Sequence, residues 1–268
     1  MASKNSGTIR VGIGGWTFEP WRGTFYPEKL PQKRELEYAS QHLTSIEING
    51  TYYGSQKPES FRKWHDETPD NFVFSLKGSR FTTNRKELAQ AKESVERFIG
   101  SGIIELKDKL GPINWQFMET KKFEPEDFEA FLKFLPGSVE GRKLKHSVEV
   151  RNDSFAAPDF VELAREHNVA IITAGDSKFP QISDPTADFV YVRIMGTDEK
   201  HKKGYSEAEL DAWAKRAQAY AVGGVPDDLR SVSEKNAKNS PRDVYLYVIS
   251  GHKDVNPAAA MALIERLK

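Results

Sequence analysis

Apolar residues recur along this chain in two periods. Eight short stretches alternate in period two or run as brief aliphatic blocks: Ile9–Gly14, Ser45–Asn49, Phe72–Lys77, Ile113–Phe117, Ser147–Arg151, Val169–Ala174, Phe189–Met195 and Val244–Ile249. These predict strands. Helical patterns lie between most of them. They cover Glu35–Leu43, Glu59–Glu67 behind Pro58, a long Glu87–Leu106, a Phe128, Phe131, Leu132, Leu135 stripe behind Pro125, and Asp159–His167 behind Pro158. Ser206 and Glu209 have capping-box spacing ahead of Leu210–Tyr220, and Asn84 and Glu87 a variant of it. Asn256 and Pro257 read as an N-cap and first-turn pair for Ala258–Leu267.

Strands alternating with helices predict parallel β/α units, and eight of them predict an α/β fold closed as a TIM-type (β/α)8 barrel. The sixth unit is weak, because Pro180, Pro185 and Ser183-Asp184 oppose a helix over Ser177–Asp188. A loop or a very short, reduced sixth helix is expected there. Asp227–Arg242 is polar and reads as a solvated excursion before the eighth strand. One domain over 1–268 follows, with residues 1–7 flexible.

Alternation also assigns the faces, since barrel strands direct every second side chain inward. With the aliphatic set facing the helices, the inward set is Glu47 and Asn49; Ser75, Lys77 and Ser79; Asn114 and Gln116; Glu149 and Arg151; Tyr191 and Arg193; and Tyr245, Tyr247 and Ile249. The sixth strand ends at Gly175-Asp176. Glu47, Lys77, Glu149, Arg151, Asp176 and Arg193 thus gather at the C-terminal ends of the strands, where barrel enzymes hold their active sites. Two arrangements fit. Three acids and three bases make a balanced plug, or the cations converge on an anionic ligand and leave a carboxylate as acid or base. Six charges exceed what a plug requires, so the second is expected.

Composition narrows the chemistry. The 268 residues are 38% hydrophobic and 29% charged, as in globular proteins. Basic and acidic residues balance at 39 each, so bulk charge predicts neither nucleic-acid nor membrane-surface binding. No cysteine is present, which excludes disulfides, thiolate metal sites and Cys nucleophiles. Met1 to Thr8 lacks the apolar core of a secretory leader, and no run nears the ~20 apolar residues of a membrane span. The expected location is the cytoplasm. The six histidines form no HxH or HExxH motif, and no GxSxG is present. No cofactor is expected; a carboxylate-only site for Mg²⁺ or Mn²⁺ beside a bound phosphate stays open.

Gly12-Ile13-Gly14-Gly15-Trp16 is not a dinucleotide fingerprint, because Thr17 holds the third glycine position and no helix follows. It reads as a tight loop or a close backbone approach. Trp16, Trp21, Tyr52 and Tyr53 belong to aromatic-rich loops at the same end, suited to stacking on a sugar or base.

These motifs together resemble the domain of unknown function 72 family, also called YecE-like proteins. The matching residues are Gly12 to Trp16, Trp21-Arg22-Gly23 with Phe25-Tyr26-Pro27, Glu47-Ile48-Asn49 with Tyr52-Tyr53, and Lys77-Gly78-Ser79-Arg80-Phe81-Thr82. They continue with Lys109 to Pro112 and Gln116, Glu149-Val150-Arg151 with Phe155, Asp176, Tyr191-Val192-Arg193 with Gly196, and Tyr205-Ser206. The resemblance implies a TIM barrel and no activity. Three departures stand out: Thr82-Thr83-Asn84, Arg151-Asn152 with Ser154-Phe155, and Val248 to His252 replace segments in which many members carry Thr-His, Arg-His before Ser-Trp, and Phe-Asn-Asn. Lost histidines disfavour a His base, while the charged mouth is kept.

Three functions follow as expectations. The first is a hydrolase or lyase on a phosphorylated sugar or nucleic-acid end. Lys77, Arg80, Arg151 and Arg193 would hold the anion, with Asn49, Gln116, Tyr52, Trp16 and Trp21 lining the site. Glu47 or Glu149 would be the base, and Asp176 would orient. The second is a glycosidase-like pair of Glu47 and Glu149, which needs an open cleft between them. The third is a non-catalytic barrel binding a small anion or nucleic acid, for which Lys200, Lys202 and Lys203 around His201 are the best basic stretch. No membrane partner is expected, and the oligomeric state is open.

Overall fold

The computed structural model describes residues 6–235 and 237–268. Residues 1–5, part of the start expected to be flexible, lie outside them.

All eight predicted strands form. They are β1 (Ile9–Gly14), β2 (Ser45–Ile48), β3 (Val73–Lys77), β4 (Leu110–Gln116), β7 (His146–Glu149), the pair β8 (Ala170–Ile171) and β9 (Thr173–Gly175), β10 (Phe189–Ile194) and β11 (Asp243–Val248). A separate small ribbon joins β5 (Ser138–Val139) to β6 (Arg142–Lys143). Pairing runs β8-β7-β4-β3-β2-β1-β11-β10-β9, and every contact in this sheet is parallel. The sixth barrel strand is therefore divided: β8 pairs with β7, and β9 pairs with β10. The chain between them closes the ring at Ile172, whose N–H donates to Val148 O at 2.9 Å.

The helices are α1 (Glu35–His42), α2 (Gly50–Tyr53), α3 (Pro58–Asp66), α4 (Arg80–Thr83), α5 (Lys92–Ile99), α6 (Pro125–Phe134), α7 (Pro158–Glu166), α8 (Glu207–Ala221) and α9 (Asn256–Arg266). Proline stands at the first turn of α3, α6, α7 and α9, where its missing N–H costs nothing. The capping box before α8 is complete: Ser206 Oγ accepts from Glu209 N at 3.3 Å, and Ser206 N donates to Glu209 Oε2 at 2.8 Å.

Three local expectations are corrected. The long helix over Glu87–Leu106 is broken into a 3-10 turn, α5, and a second 3-10 stretch at Ile103–Lys109. Gly102 breaks it, with φ +96°, and a Cβ there would strike Pro58 at 2.7 Å. The apolar rhythm survives the break because Ile103 and Leu106 are buried as fully as Val95. Asn84 is the residue that closes α4 rather than a cap for a later helix. Asn256 already has helical angles, and its side chain turns away to Thr197 Oγ1 and Ser250 O.

No helix forms over Ser177–Asp188. Its place is taken by the polar segment after α8, which is anchored rather than merely solvated. Asp184 accepts from Val232 N and Ser233 N at 2.7 and 3.0 Å, and Ser183 Oγ donates to Arg230 O at 2.7 Å. Ser233 reaches Glu162 on α7, and Arg216 on α8 reaches Asp228. Leu229 and Val232 pack against the core.

Two apolar bodies result. The larger lies between strands and helices; the smaller fills the barrel with Val73, Ala170, Ile172, Phe189, Tyr191, Tyr245, Tyr247 and Ile249. The face assignments from alternation hold for β2, β3, β4, β7, β10 and β11, the strands for which they were made. Tyr247 crosses the interior, its hydroxyl 2.6 Å from both Ser45 Oγ and Ser75 Oγ. Gly12 makes this possible, since a Cβ there would meet Ser45 O at 1.9 Å and Tyr247 Cε1 at 3.3 Å. Gly12→Ala is therefore expected to destabilise by about 3 kcal/mol or more, by forcing β1 from β2. A urea denaturation midpoint equal to that of the wild type would contradict this.

Candidate functional site at the barrel mouth

Alternation delivers the polar side chains of β2, β3, β4, β7 and β10 to one level of the interior. At its centre is Arg193, 3% exposed. Nη2 donates to Glu47 Oε1 at 3.1 Å and Nη1 donates to Glu149 Oε2. Both acids are fully buried. Glu47 Oε2 also accepts from Tyr191 OH at 2.5 Å and Asn114 Nδ2 at 3.2 Å. Glu149 Oε1 accepts from Arg151 Nε at 2.9 Å and Nη2 at 2.7 Å. Burial alone would raise the Glu149 carboxyl, but Arg193, Arg151 and Lys77 outweigh it and hold the group down at about 2.

Lys77 is different. It is 7% exposed, and its Nζ donates to Gln116 Oε1 at 2.5 Å and lies 4.7 Å from the Tyr52 ring centroid. No carboxylate lies within ion-pair distance of it among the described residues. Burial, reinforced by Arg193, pushes its amine down to about 8. Arg80, exposed at the start of α4, rests its guanidinium on Tyr53 and Phe81 at 5.8 and 5.4 Å and makes no ion pair among the described residues. Arg151 lies 4.4 Å from the Phe179 ring centroid. Two buried atoms of this cluster, Arg193 Nε and Asn114 Oδ1, have no hydrogen-bond partner among the described residues.

The expected site residues therefore divide. Glu47, Lys77, Gln116, Glu149, Arg151 and Arg193 come together, with Tyr52 above Lys77. Asn49 is half-buried, with its side chain over Gly14, where a Cβ would meet Asn49 Nδ2 at 2.8 Å. Asp176 stands apart on the rim: exposed, with φ +53°, it accepts from Trp213 Nε1 at 2.7 Å. The two tryptophans are not at the mouth. Trp21 is 1% exposed and donates to Lys253 O at 3.0 Å, while Trp16 packs edge-on to Trp64 and the outward-facing Phe74. Their motif is framework, as is Lys109, whose Nζ donates to the carbonyls of His65 and Thr68 at 2.5 and 2.6 Å.

The open cleft that a glycosidase needs between Glu47 and Glu149 is absent. Both acids share Arg193, both reach one Asn114 nitrogen, and neither meets solvent. Among the described residues no group of three His, Cys, Asp or Glu could hold a metal ion. The Lys200–Lys203 stretch is partly neutralised, by Asp198 at 3.3 Å and Glu207 at 3.0 Å. Alternation did not single out Tyr191 or Asn114 for the site, although both stand on the inward face. Phe179 lies in an irregular loop and carried no periodic signal.

A family model described as "Protein of unknown function DUF72" matches residues 10–268. The chain belongs to this family. Among curated relatives it is similar to the UPF0759 protein YecE of Escherichia coli K12, at 28% identity over 56% of this chain and 50% of that protein. It is also similar to the UPF0759 protein YunF of Bacillus subtilis, at 24% identity over 58% and 54%. The matched stretch thus spans about half the length of these relatives. Among solved structures, a DUF72 protein of Thermotoga maritima superposes with a TM-score of 0.71 at 23% identity, covering 96% of this chain and 97% of that one. One of Enterococcus faecalis gives 0.70 at 17%, covering 97% and 95%. These likenesses bear out the TIM-like barrel. No helix among the described residues is long and apolar enough to cross a membrane.

Glu149→Gln should cost about 3–5 kcal/mol, because it strips a buried partner from Arg193 and Arg151. The folded carboxyl lies below the unfolded value of about 4.3. Its stabilisation is therefore whole above that value and is lost as pH falls through it towards about 2. Urea melts at stepped pH should show wild-type stability falling over that window and a flatter profile in the variant. Parallel profiles would refute the assignment.

Proposed function

We propose that the mouth binds a small phosphorylated ligand, and that the protein is a lyase-type enzyme acting on it. One observation carries the reading. Glu47 and Glu149 are matched by Arg193 and Arg151, so the buried cluster is balanced without Lys77, and the Lys77 amine remains as an uncompensated cation. A buried ammonium with no counter-charge is costly, and a phosphate oxygen would relieve it. Arg80, three residues on, adds a second cation without an ion-pair partner among the described residues. The unpartnered Arg193 Nε further supports a polar ligand at this level.

The roles of the carboxylates change in this reading. A base held at about 2, as Glu149 is, is too weak to take protons at neutral pH, and Glu47 is occupied by Arg193, Tyr191 and Asn114, so both acids serve to fix the arginines in place. That favours a lyase over a hydrolase that must activate water.

The test is a thermal-shift titration with sulfate, whose charge is constant between pH 6 and 9, alongside inorganic phosphate. A ligand at about 100 times its Kd adds about 2.7 kcal/mol to stability. We expect saturable stabilisation that weakens as pH rises through about 8, where Lys77 loses its proton. Lys77→Gln should abolish the pH dependence. Stabilisation that is linear in salt and indifferent to Lys77 would overturn the reading.

A further inference from the structure

We infer that Lys77 is a nucleophilic amine that forms an imine with the carbonyl group of a phosphorylated aldehyde or ketone; this rests on the anion-binding reading above. A lysine becomes an imine-forming nucleophile when burial and neighbouring cations keep a share of it unprotonated. Lys77 meets both conditions geometrically. Its aliphatic stem is enclosed at the end of β3, its Nζ has a neutral amide as acceptor, and the guanidinium of Arg193 is set at the same level by the two glutamates. The amine is pushed down to about 8, so a useful fraction is free at neutral pH. Among the described residues no other lysine combines this burial with a place at the strand C-termini. Lys109, the other buried one, is bound to three oxygens of α3 and the turn after it.

The chemistry balances without a co-reactant. The Nζ lone pair attacks the carbonyl carbon, and the carbonyl π pair moves to oxygen, which gains a proton as nitrogen loses one. The resulting carbinolamine then expels its hydroxyl with a second proton, giving the imine and one water. Protonated, that imine draws electrons from the adjacent carbon, which is what a lyase needs to break a carbon–carbon bond. Arg80, which makes no ion pair among the described residues, is the cation left to hold the phosphate.

The probe is glycolaldehyde phosphate, and 2-hydroxyethyl phosphate is its counterpart without a carbonyl. Intact protein is incubated with the aldehyde and sodium borohydride, and the reduced adduct is mapped by peptide mass. We expect adduct at Lys77 to exceed that at exposed lysines such as Lys92 and Lys200 by about tenfold or more, since each pKa unit is tenfold in free amine. Excess 2-hydroxyethyl phosphate should suppress it. Lys77→Arg should retain stabilisation by 2-hydroxyethyl phosphate and lose the adduct. Label spread over lysines by exposure would overturn the inference. If 2-hydroxyethyl phosphate stabilises the protein while Lys77 stays unlabelled, imine formation falls and the anion reading stands. If it neither binds nor competes, both fall. Should Lys77→Arg fail to fold, the wild-type adduct map and the competition decide the matter alone.

Discussion

The geometry of the barrel mouth depends on one guanidinium. Arg193, reaching in from β10, ties the carboxylates of β2 and β7, which are not neighbours in the sheet. Asn114 on β4 spans the same two acids from the other side. Charges this deep are expensive to desolvate, and their mutual attraction offsets the cost only when the remaining oxygens are also satisfied. Here Tyr191 and Arg151 satisfy them. The contribution of such a cluster is specificity rather than net stability. A register slip of one residue in β2 or β7 would face Glu47 or Glu149 toward the helices, among aliphatic side chains, with no partner. The ion cluster thus selects one alignment of strands that hydrophobic packing alone would hold less strictly.

Beneath it the barrel is filled by aromatic rings. Tyr191 and Tyr247 pack with centroids 5.1 Å apart, and Tyr245 packs against Phe189 at 5.9 Å. A tyrosine suits this position because its ring fills the wide interior while its hydroxyl reaches a polar partner. Tyr247 does so with two serines, and Tyr191 with a glutamate. Polar mouth and apolar filling are therefore joined by hydroxyls, with no sharp boundary between them. The layer below thus supplies Glu47 with a donor, the Tyr191 hydroxyl, as well as bulk.

Much of this was legible in the sequence, because period-two alternation is a direct consequence of strand geometry. It located all eight barrel strands and separated Glu47 from Ile46 and Ile48, and Arg193 from Val192 and Ile194. It could not say which charges would pair. Glu149 and Arg151 stand two apart on one strand and could be judged neighbours, but the meeting of Glu47 with Arg193 needs the closed ring. Nor could it separate mouth from framework within the shared motifs. Trp21 and Lys109 satisfy backbone carbonyls far from Lys77, and nothing in their spacing distinguishes them from Tyr52. The overlong helix over Glu87–Leu106 has a plain cause. Both fragments bury their apolar face on the same core, so the rhythm runs through a break visible only in the left-handed backbone of Gly102.

The divided sixth strand is the least continuous part of the barrel wall. β8 and β9 hold two and three residues and pair in opposite directions around the ring, and the β7–β8 ladder, with two residue pairs, is the shortest in this sheet. Thr186 patches it by accepting from Ile171 N and donating to Val169 O, and Thr173 does so by donating to Ile182 O. The loop after β9 carries Phe179, which lies against Arg151. Phe179 thereby joins the divided strand to Arg151, which holds one oxygen of the ion cluster, Glu149 Oε1.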